Sequence, residues 1–514
     1  MIEIISMSLE HNLNISSFDL FIIGGGINGV GIARDATQRG LSAGLCDKGD
    51  LGGATSSASS QLIHGGLRYL EYGEFRLVHK ALKERERLLT IAPHLIKPLR
   101  FVMPHHPRMR PLWQLRTGLW LYDHLAQRKQ LPASSVVDLR HTVYGETLKT
   151  SFQKACLFSD CWVDDARLVI STAKAARDGG AVILPRTSCL KAASENGRWQ
   201  LTLQSKITQE IHTVFAKTLV NAAGPWVDEV QQTVIGLNTQ YHIRLVKGSH
   251  IILPALYAGD HAYLLQAADK RVIFTIPIGD HHTHTIVGTT DLFYQGDLNK
   301  IQISEAEIDY LLVILKDYFK QDIQKSDIVH TYAGVRPLVL DPSKTLSQNT
   351  RDYTIELQTL REHPPLLTVL GGKITTYRCL AEDTLDMLQP YLPPCSSSKS
   401  AWQVLPGGHI SQGDMSFFCE EITQSYPWLP TLLRQDYCYR YGSEIHVLLA
   451  GCQKMTDLGE AISEKLYERE IRYLQEHEWA LTAEDILWRR TKLGLITTSE
   501  MRETLRRWLS NHPF

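Results

Sequence analysis

The stretch FDLFIIGGGINGVGIARDATQRGLSAGLCD, residues 18–47, decides how the chain begins to fold. An apolar run (18–23) enters GGGING (24–29), a helical pattern continues to Arg39, Gly40 stops it, and a second run closes on Asp47. Strand, tight turn, helix and strand make a βαβ unit, and a glycine just past the last helical residue is a common helix end. Gly24, Gly26 and Gly29 have the spacing G-x-G-x-x-G at a strand's exit and a helix's mouth, the context in which that motif carries meaning. Gly24 permits the sharp turn, Gly26 lets backbone approach a pyrophosphate, and Gly29 allows close helix–strand packing, while the helix N-terminus offers N–H groups to an anion. Asp47 lies 18 residues beyond Gly29, where a carboxylate accepts from a ribose 2′-OH and repels a 2′-phosphate. The cargo is therefore a dinucleotide; the bland alternative is a glycine-rich loop serving only as a turn.

Working outward, 514 residues correspond to about three domains. Apolar residues are 43% and charged residues 21%, values that exclude a disordered, collagen-like or coiled-coil chain. With 54 Lys and Arg against 55 Asp and Glu, the basic excess of a nucleic-acid binder is missing. Nine scattered cysteines, odd in number and without a C-x-x-C pair, argue against a disulfide framework or structural zinc and fit a reducing compartment. The first 17 residues lack the features of a signal peptide and read as a floppy leader. No apolar run is long enough to span a membrane. Strand-like stretches at 182–190, 199–204, 211–221, 272–278 and 284–289 predict a substantial mixed or antiparallel sheet in the middle of the chain. PYLPPCSSSKS (390–400) reads as a linker, and the pairs Thr482/Asp485 and Thr497/Glu500 beyond it have capping-box spacing. Residues 401–514 thus form a separate helical domain.

Residues 52–72 read GGATSSASSQLIHGGLRYLEY, and NAAGPW (221–226), YAGVRPL (332–338), TRDYTI (350–355) and GGKITTYR (371–378) follow downstream. On these motifs the chain resembles the FAD-dependent glycerol-3-phosphate dehydrogenases of the D-amino-acid-oxidase-like flavoprotein superfamily. EDILWRRTKLGL (484–495) is similar to that family's C-terminal domain, so the likeness runs from about 18 to 510. Two departures are Asp47, where family members usually carry Glu, and the extra leader.

The resemblance implies an α/β fold. It has a discontinuous Rossmann-type FAD-binding domain (18–90, 156–226 and 330–390), an antiparallel-sheet cap or substrate domain (91–155 and 227–329), and an all-α domain (401–514). It implies FAD contacts from Gly24, Gly26, Asn28, Gly29, Asp47, Thr55, Ser56, Ser57, His64, Gly65, Gly66, Ala223, Gly224, Gly372, Lys373 and Thr375. It places Arg68, Tyr69, Arg336, Arg351 and Lys373 at the substrate, with His64, His250 and Arg336 as candidate catalytic residues. Glycerol 3-phosphate is a small dianion with an oxidisable secondary alcohol, so its site needs fixed cations, a proton acceptor and a flavin face. The planar fork of arginine suits phosphate. A surface ion pair is the competing reading for each arginine, and ordering of the flavin loop is the competing reading for His64.

The family's activity is oxidation of sn-glycerol 3-phosphate to dihydroxyacetone phosphate, with electrons passed to a membrane quinone at the cytoplasmic face of the inner membrane. Other readings are an oxidase that uses oxygen, an amino-acid oxidase of the superfamily, and a non-catalytic flavin-binding module. Residues 94–130 carry seven Lys or Arg against the single acid Asp123, interleaved with Trp113, Trp120 and Tyr122, a pattern suited to an anionic lipid surface. Prolines confine a continuous helix there to about 112–128; packing within the cap domain is the alternative. Simple helix packing is expected of Trp488, Arg489 and Arg490, with a latch onto the flavin domain as the alternative. It is expected too of Arg506, Arg507 and Trp508, against cover for lipid or for a second copy in a homodimer. His281, His282 and His284 lie in a polar turn without a matching carboxylate pattern and read as solvated rather than as a metal site.

Overall fold

The computed structural model describes residues 17–106, 109–237, 243–279, 282–339, 352–359 and 363–512. The leader through residue 16, Arg351 and His281 lie outside them. Strand Ser17–Ile23 runs parallel between Ile211–Asn221 and Ala43–Cys46. Leu20, Phe21 and Ile22 have no exposed surface, which is why this strand reads as a continuous apolar run rather than an alternating one. Val182–Leu184 and Leu366–Leu370 extend the parallel set, and Thr354–Gln358 closes one edge antiparallel. A meander of Thr187–Glu195 and Arg198–Ser205 folds back onto Ile211–Asn221 and completes eight strands.

Helix Ile27–Gln38 leaves the glycine turn and packs between Asp165–Asp178 and Tyr377–Leu388. A Cβ at Gly31 would lie 2.8 Å from the Tyr377 ring, so the tight approach of two of these helices depends on a missing side chain. Val30, Ile32, Leu168, Ile170 and Leu380 join Leu20 and Ile22 in one core.

The second sheet has ten strands among the described residues. Its spine is Ile243–Pro254, His284–Gly288, Val272–Ile278, Ala262–Gln266, Ile96–His105 and Lys154–Val163, and His330–Val339 pairs over its own full length with residues 243–252 of the first of these. The β-rich middle of the chain is thus divided: 182–221 belongs to the nucleotide-binding sheet and 272–288 to the second. Lys154–Val163 and His330–Val339, assigned from sequence largely to the FAD-binding unit, run in the second sheet. Both are ten residues long and mix apolar with polar positions, so their composition suits either sheet, and only tertiary pairing decides.

Helices Met415–Ser425, Thr431–Tyr441, Glu468–Glu478 and Ser499–Asn511 surround a separate core containing Phe418, Tyr437, Leu474 and Trp508. The 390–400 stretch is bound down rather than loose: Ser398 and Ser400 join the Asp35 and Arg378 side chains, and Leu405 still belongs to the first core. Thr482 and Asp485 cap reciprocally, at 3.2 and 2.8 Å. At the last helix the cap is Thr498, whose hydroxyl accepts from Met501 N, while Thr497 turns back to Leu493 O. The expected cap at Thr497 is therefore one residue early, because its hydroxyl is taken by the preceding turn.

Candidate active site

The glycine turn is built by exclusion. Gly24 has φ +119°, and a Cβ there would stand 2.3 Å from Ala222 O; one on Gly29 would stand 1.9 Å from Gly24 O. Only Ser56 Oγ, at 3.2 Å, approaches the corresponding position on Gly26. Ser56 Oγ also accepts from Ile27 N at 3.0 Å, which brings the Thr55–Ser57 turn to the mouth of the helix. At the end of the second strand, Asp47 Oδ2 accepts from Gly25 N and Oδ1 from Gly49 N, each at 2.7 Å. Burial pushes this carboxyl above its usual range, against the pull of those two amides. Each oxygen keeps a lone pair for a ribose hydroxyl.

Two further segments close around the turn. Ala222 and Ala223 crowd Gly24, and Gly224 turns the chain away at φ +56°. Gly371 and Gly372, both at positive φ, carry the chain into Lys373 and Thr375. Asn28 Nδ2 donates to Gly371 O at 3.1 Å, while its Oδ1 is buried without a hydrogen-bond partner among the described residues. A bare glycine cradle, a carboxylate at the strand end and an orphaned acceptor fit FAD, whose ribityl hydroxyls are donors of the kind Asn28 lacks.

Next to this cradle a cavity of about 1640 Å³ opens over the second sheet. His64, Gly66, Arg68 and Tyr69 form one wall, and Thr289 and Asp291 stand on another. His64 N donates to Thr375 Oγ1 at 3.3 Å. Gly65 faces inward: its amide donates to Tyr122 Oη at 2.9 Å, and a Cβ would strike Leu82 and Tyr122. Gly65 thus shapes the turn, and Gly66, at φ +80°, is the member of the pair on the cavity. Lys373 Nζ lies 3.9 Å from the centre of the Tyr69 ring, a cation–π contact.

Arg336 Nη1 donates to Asp291 Oδ1 at 2.9 Å, with 26% and 19% of their side chains exposed. Strand alternation splits KGSH. Lys247 and Ser249 reach Glu307, at 2.8 Å each, and Gly248 approaches Arg336. His250 stacks on Tyr332 and shares a 2.8 Å bond between Nε2 and Ser60 Oγ. Burial, reinforced by Arg336 and opposed by Asp291, lowers its pKa to about 3. His250 is 1% exposed and off the cavity wall, whereas His64 is on it.

The model for the family described as FAD dependent oxidoreductase matches residues 19–378, and the C-terminal domain of alpha-glycerophosphate oxidase matches 399–510. A glycerol-3-phosphate dehydrogenase of Pseudomonas aeruginosa is 49% identical over 96% of each chain. The chain belongs to the FAD-dependent glycerol-3-phosphate dehydrogenase family. A D-erythritol 1-phosphate dehydrogenase of Brucella abortus is 46% identical over 96% of this flavoprotein and 98% of its own length. The crystal structure of a glycerol-3-phosphate dehydrogenase from Bacillus halodurans complexed with FAD superposes with a TM-score of 0.77 at 25% identity, covering 98% of this chain and 93% of that one. FAD is the cofactor of this dehydrogenase family member.

Asp291 and Asp160 were not singled out in the sequence. Asp160 binds Arg85 at 2.7 Å and Tyr122 at 2.8 Å beneath Gly65. Neither sits in a motif, and only the pairing of distant strands brings them to the site. No helix among the described residues is long and apolar enough to cross a membrane, and the predicted 112–128 helix spans Leu112–His124.

Proposed function

We propose that this flavoprotein oxidises sn-glycerol 3-phosphate to dihydroxyacetone phosphate and delivers the electrons to a membrane quinone. The observation that carries this reading is a cavity beside the glycine cradle whose wall holds Arg68, Tyr69 and Asp291, with Arg336 paired to that Asp291 and Lys373 set over the Tyr69 ring. FAD, when bound, supplies the acceptor for the hydride on the carbinol carbon. Arg336 and Lys373 hold the phosphate dianion, and the Arg336 fork orients it. Tyr69 fixes Lys373 through its ring. His64, on the wall, receives the hydroxyl proton; a histidine near pKa 3, such as His250, is too weak a base at neutral pH. Asp291 sets the Arg336 fork in position before substrate arrives.

A longer phosphorylated polyol is the second reading, supported by the 46% identical erythritol 1-phosphate relative and by the size of the cavity. The exposed Trp113 and Trp120, 67% and 60% accessible and seven residues apart on one helix, support docking on an anionic lipid surface where a quinone is reached. Adding glycerol 3-phosphate without oxygen to the yellow protein tests the main reading. Bleaching of the flavin band supports it; bleaching only by erythritol 1-phosphate moves the substrate to the longer polyol, and none with either removes both. A stoichiometric yield of hydrogen peroxide in air would replace the quinone by oxygen.

A further inference from the structure

One short segment of the C-terminal domain, 488–492, touches three separate parts of the flavin site. Arg490 grips Asp50 with two bonds, at 2.6 and 2.9 Å, and Arg489 adds a third at 2.5 Å. Asp50 lies in the loop that begins at Asp47 and returns to the glycine turn through Gly52 N and Gly25 O, at 2.9 Å. Burial works against charge on Asp50, but Arg490 and Arg489 outweigh it and hold the carboxyl at about 2. Trp488 stacks on His330, ring centres 4.1 Å apart, at the start of the strand that carries Arg336.

The third contact is a relay. Lys492, held in the left-handed region at φ +60°, places its ammonium 3.4 Å from Asp165 Oδ1. Asp165, fully buried, accepts through Oδ2 from Ser59 Oγ at 2.7 Å and from Ser59 N at 3.2 Å. Tyr332 Oη donates to Ser59 O at 2.9 Å, and the next residue, Ser60, holds His250. Ser59 is three residues from Ser56, which meets the helix mouth at Ile27 N.

We propose that Lys492 is a positioning residue for the flavin: through Asp165 it fixes the Ser56–Ser60 loop against the cofactor, so that the C-terminal domain sets FAD affinity and flavin environment. A buried carboxylate without its cation is costly and draws other donors to itself, so loss of Lys492 releases Ser59 from its set geometry. The inference rests on FAD occupying the glycine cradle and is independent of which polyol phosphate is oxidised.

The test compares Lys492→Met, Lys492→Arg, Ser59→Ala and the double variant Lys492→Met/Ser59→Ala in the full-length protein. The readouts are the FAD dissociation constant, the visible flavin spectrum and the melting temperature of the apoprotein. Lys492→Met is expected to raise the FAD dissociation constant about tenfold, the factor set by about 1.4 kcal/mol, and to shift the flavin band, with Lys492→Arg restoring both. Ser59→Ala should move both readouts in the same direction, and the double variant should add little, because the two residues act on one loop. A Lys492→Met protein that melts lower but keeps wild-type FAD affinity and spectrum would overturn the proposal. If Lys492→Met does not fold, Ser59→Ala with unchanged FAD affinity overturns it equally, as does an additive double variant.

Discussion

Replacing Arg336 by Met removes a cation and also unmasks Asp291, which now bonds it at 2.9 Å. The lost charge-assisted hydrogen bond to phosphate is worth about 1.5–3 kcal/mol. A carboxylate about 6 Å from a phosphate charge repels it by about 3 kcal/mol at an effective dielectric of about 20. Solvent reduces that repulsion here, since 26% and 19% of the two side chains are exposed. We therefore expect the second-order rate constant for flavin reduction to fall about 100- to 1000-fold in Arg336→Met. Arg336→Met/Asp291→Asn should recover about tenfold of that loss, as the neutral amide no longer repels the dianion. Anaerobic stopped-flow bleaching across substrate concentrations separates binding from hydride transfer, and the change should appear mainly in the binding constant. The reasoning is refuted if the double variant is no better than the single one, or if Arg336→Met reduces the rate at saturation and leaves binding intact.

Gly29→Ala places a methyl group 1.9 Å from Gly24 O, so the helix must lift off the strand; overpacking of this kind costs about 1–3 kcal/mol, and the purified variant should carry less FAD per chain and melt lower, both of which remain at wild-type values if the turn is looser than described. Acid should destabilise the protein through His94 and His250, both lowered to about 3 by burial. Between about pH 6.5 and 3 the unfolded chain binds protons that the folded chain refuses, so stability falls as pH falls, by about 1.4 kcal/mol per pH unit for each histidine. Urea midpoints measured across that window should flatten in a His94→Gln variant, and an unchanged slope would show that His94 is not the source. Trp113→Ala/Trp120→Ala should weaken sedimentation with anionic vesicles at low salt while leaving anaerobic bleaching intact; equal sedimentation would move the lipid contact elsewhere on the surface.

The glycine turn was legible because its information is local. Strand, turn, helix and acid lie within thirty residues of one another, and the steric demands at Gly24 and Gly29 follow from backbone alone. The helix ending at Arg39 is likewise local: Leu41 N returns to Ala36 O across the glycine. What the sequence hid depends on distant pairings. His330–Val339 carries an arginine motif that reads as part of the nucleotide-binding unit, yet its partner strand is Ile243–Pro254, more than seventy residues earlier. Asp291 acquires meaning only when Arg336 is brought beside it. The Lys492 to Asp165 contact joins residues 327 positions apart, which no window of periodicity can report.

The same contrast explains why the WRRTK segment looked like ordinary helix packing. Sequence favours plain helix packing for Trp488, Arg489 and Arg490 over a latch onto the flavin domain, because nothing local names their partners. Their contacts to Asp50 and His330 favour the latch. Arg490 has no exposed surface and Asp50 only 7%, and charges held that far from water persist only when partners satisfy them. A buried ion pair adds little net stability over an apolar contact, but removing one partner is expensive, so these pairs act more as register marks between the two domains than as glue. The residues they mark are the loop after Asp47, the loop before Ser60 and the foot of the Arg336 strand. On the proposed reading each is a place where a shift of about 1 Å displaces a group assigned to cofactor or substrate, and misplacement on that scale costs about 100-fold in rate. That is the physical ground for treating the helical domain as a component of the flavin site.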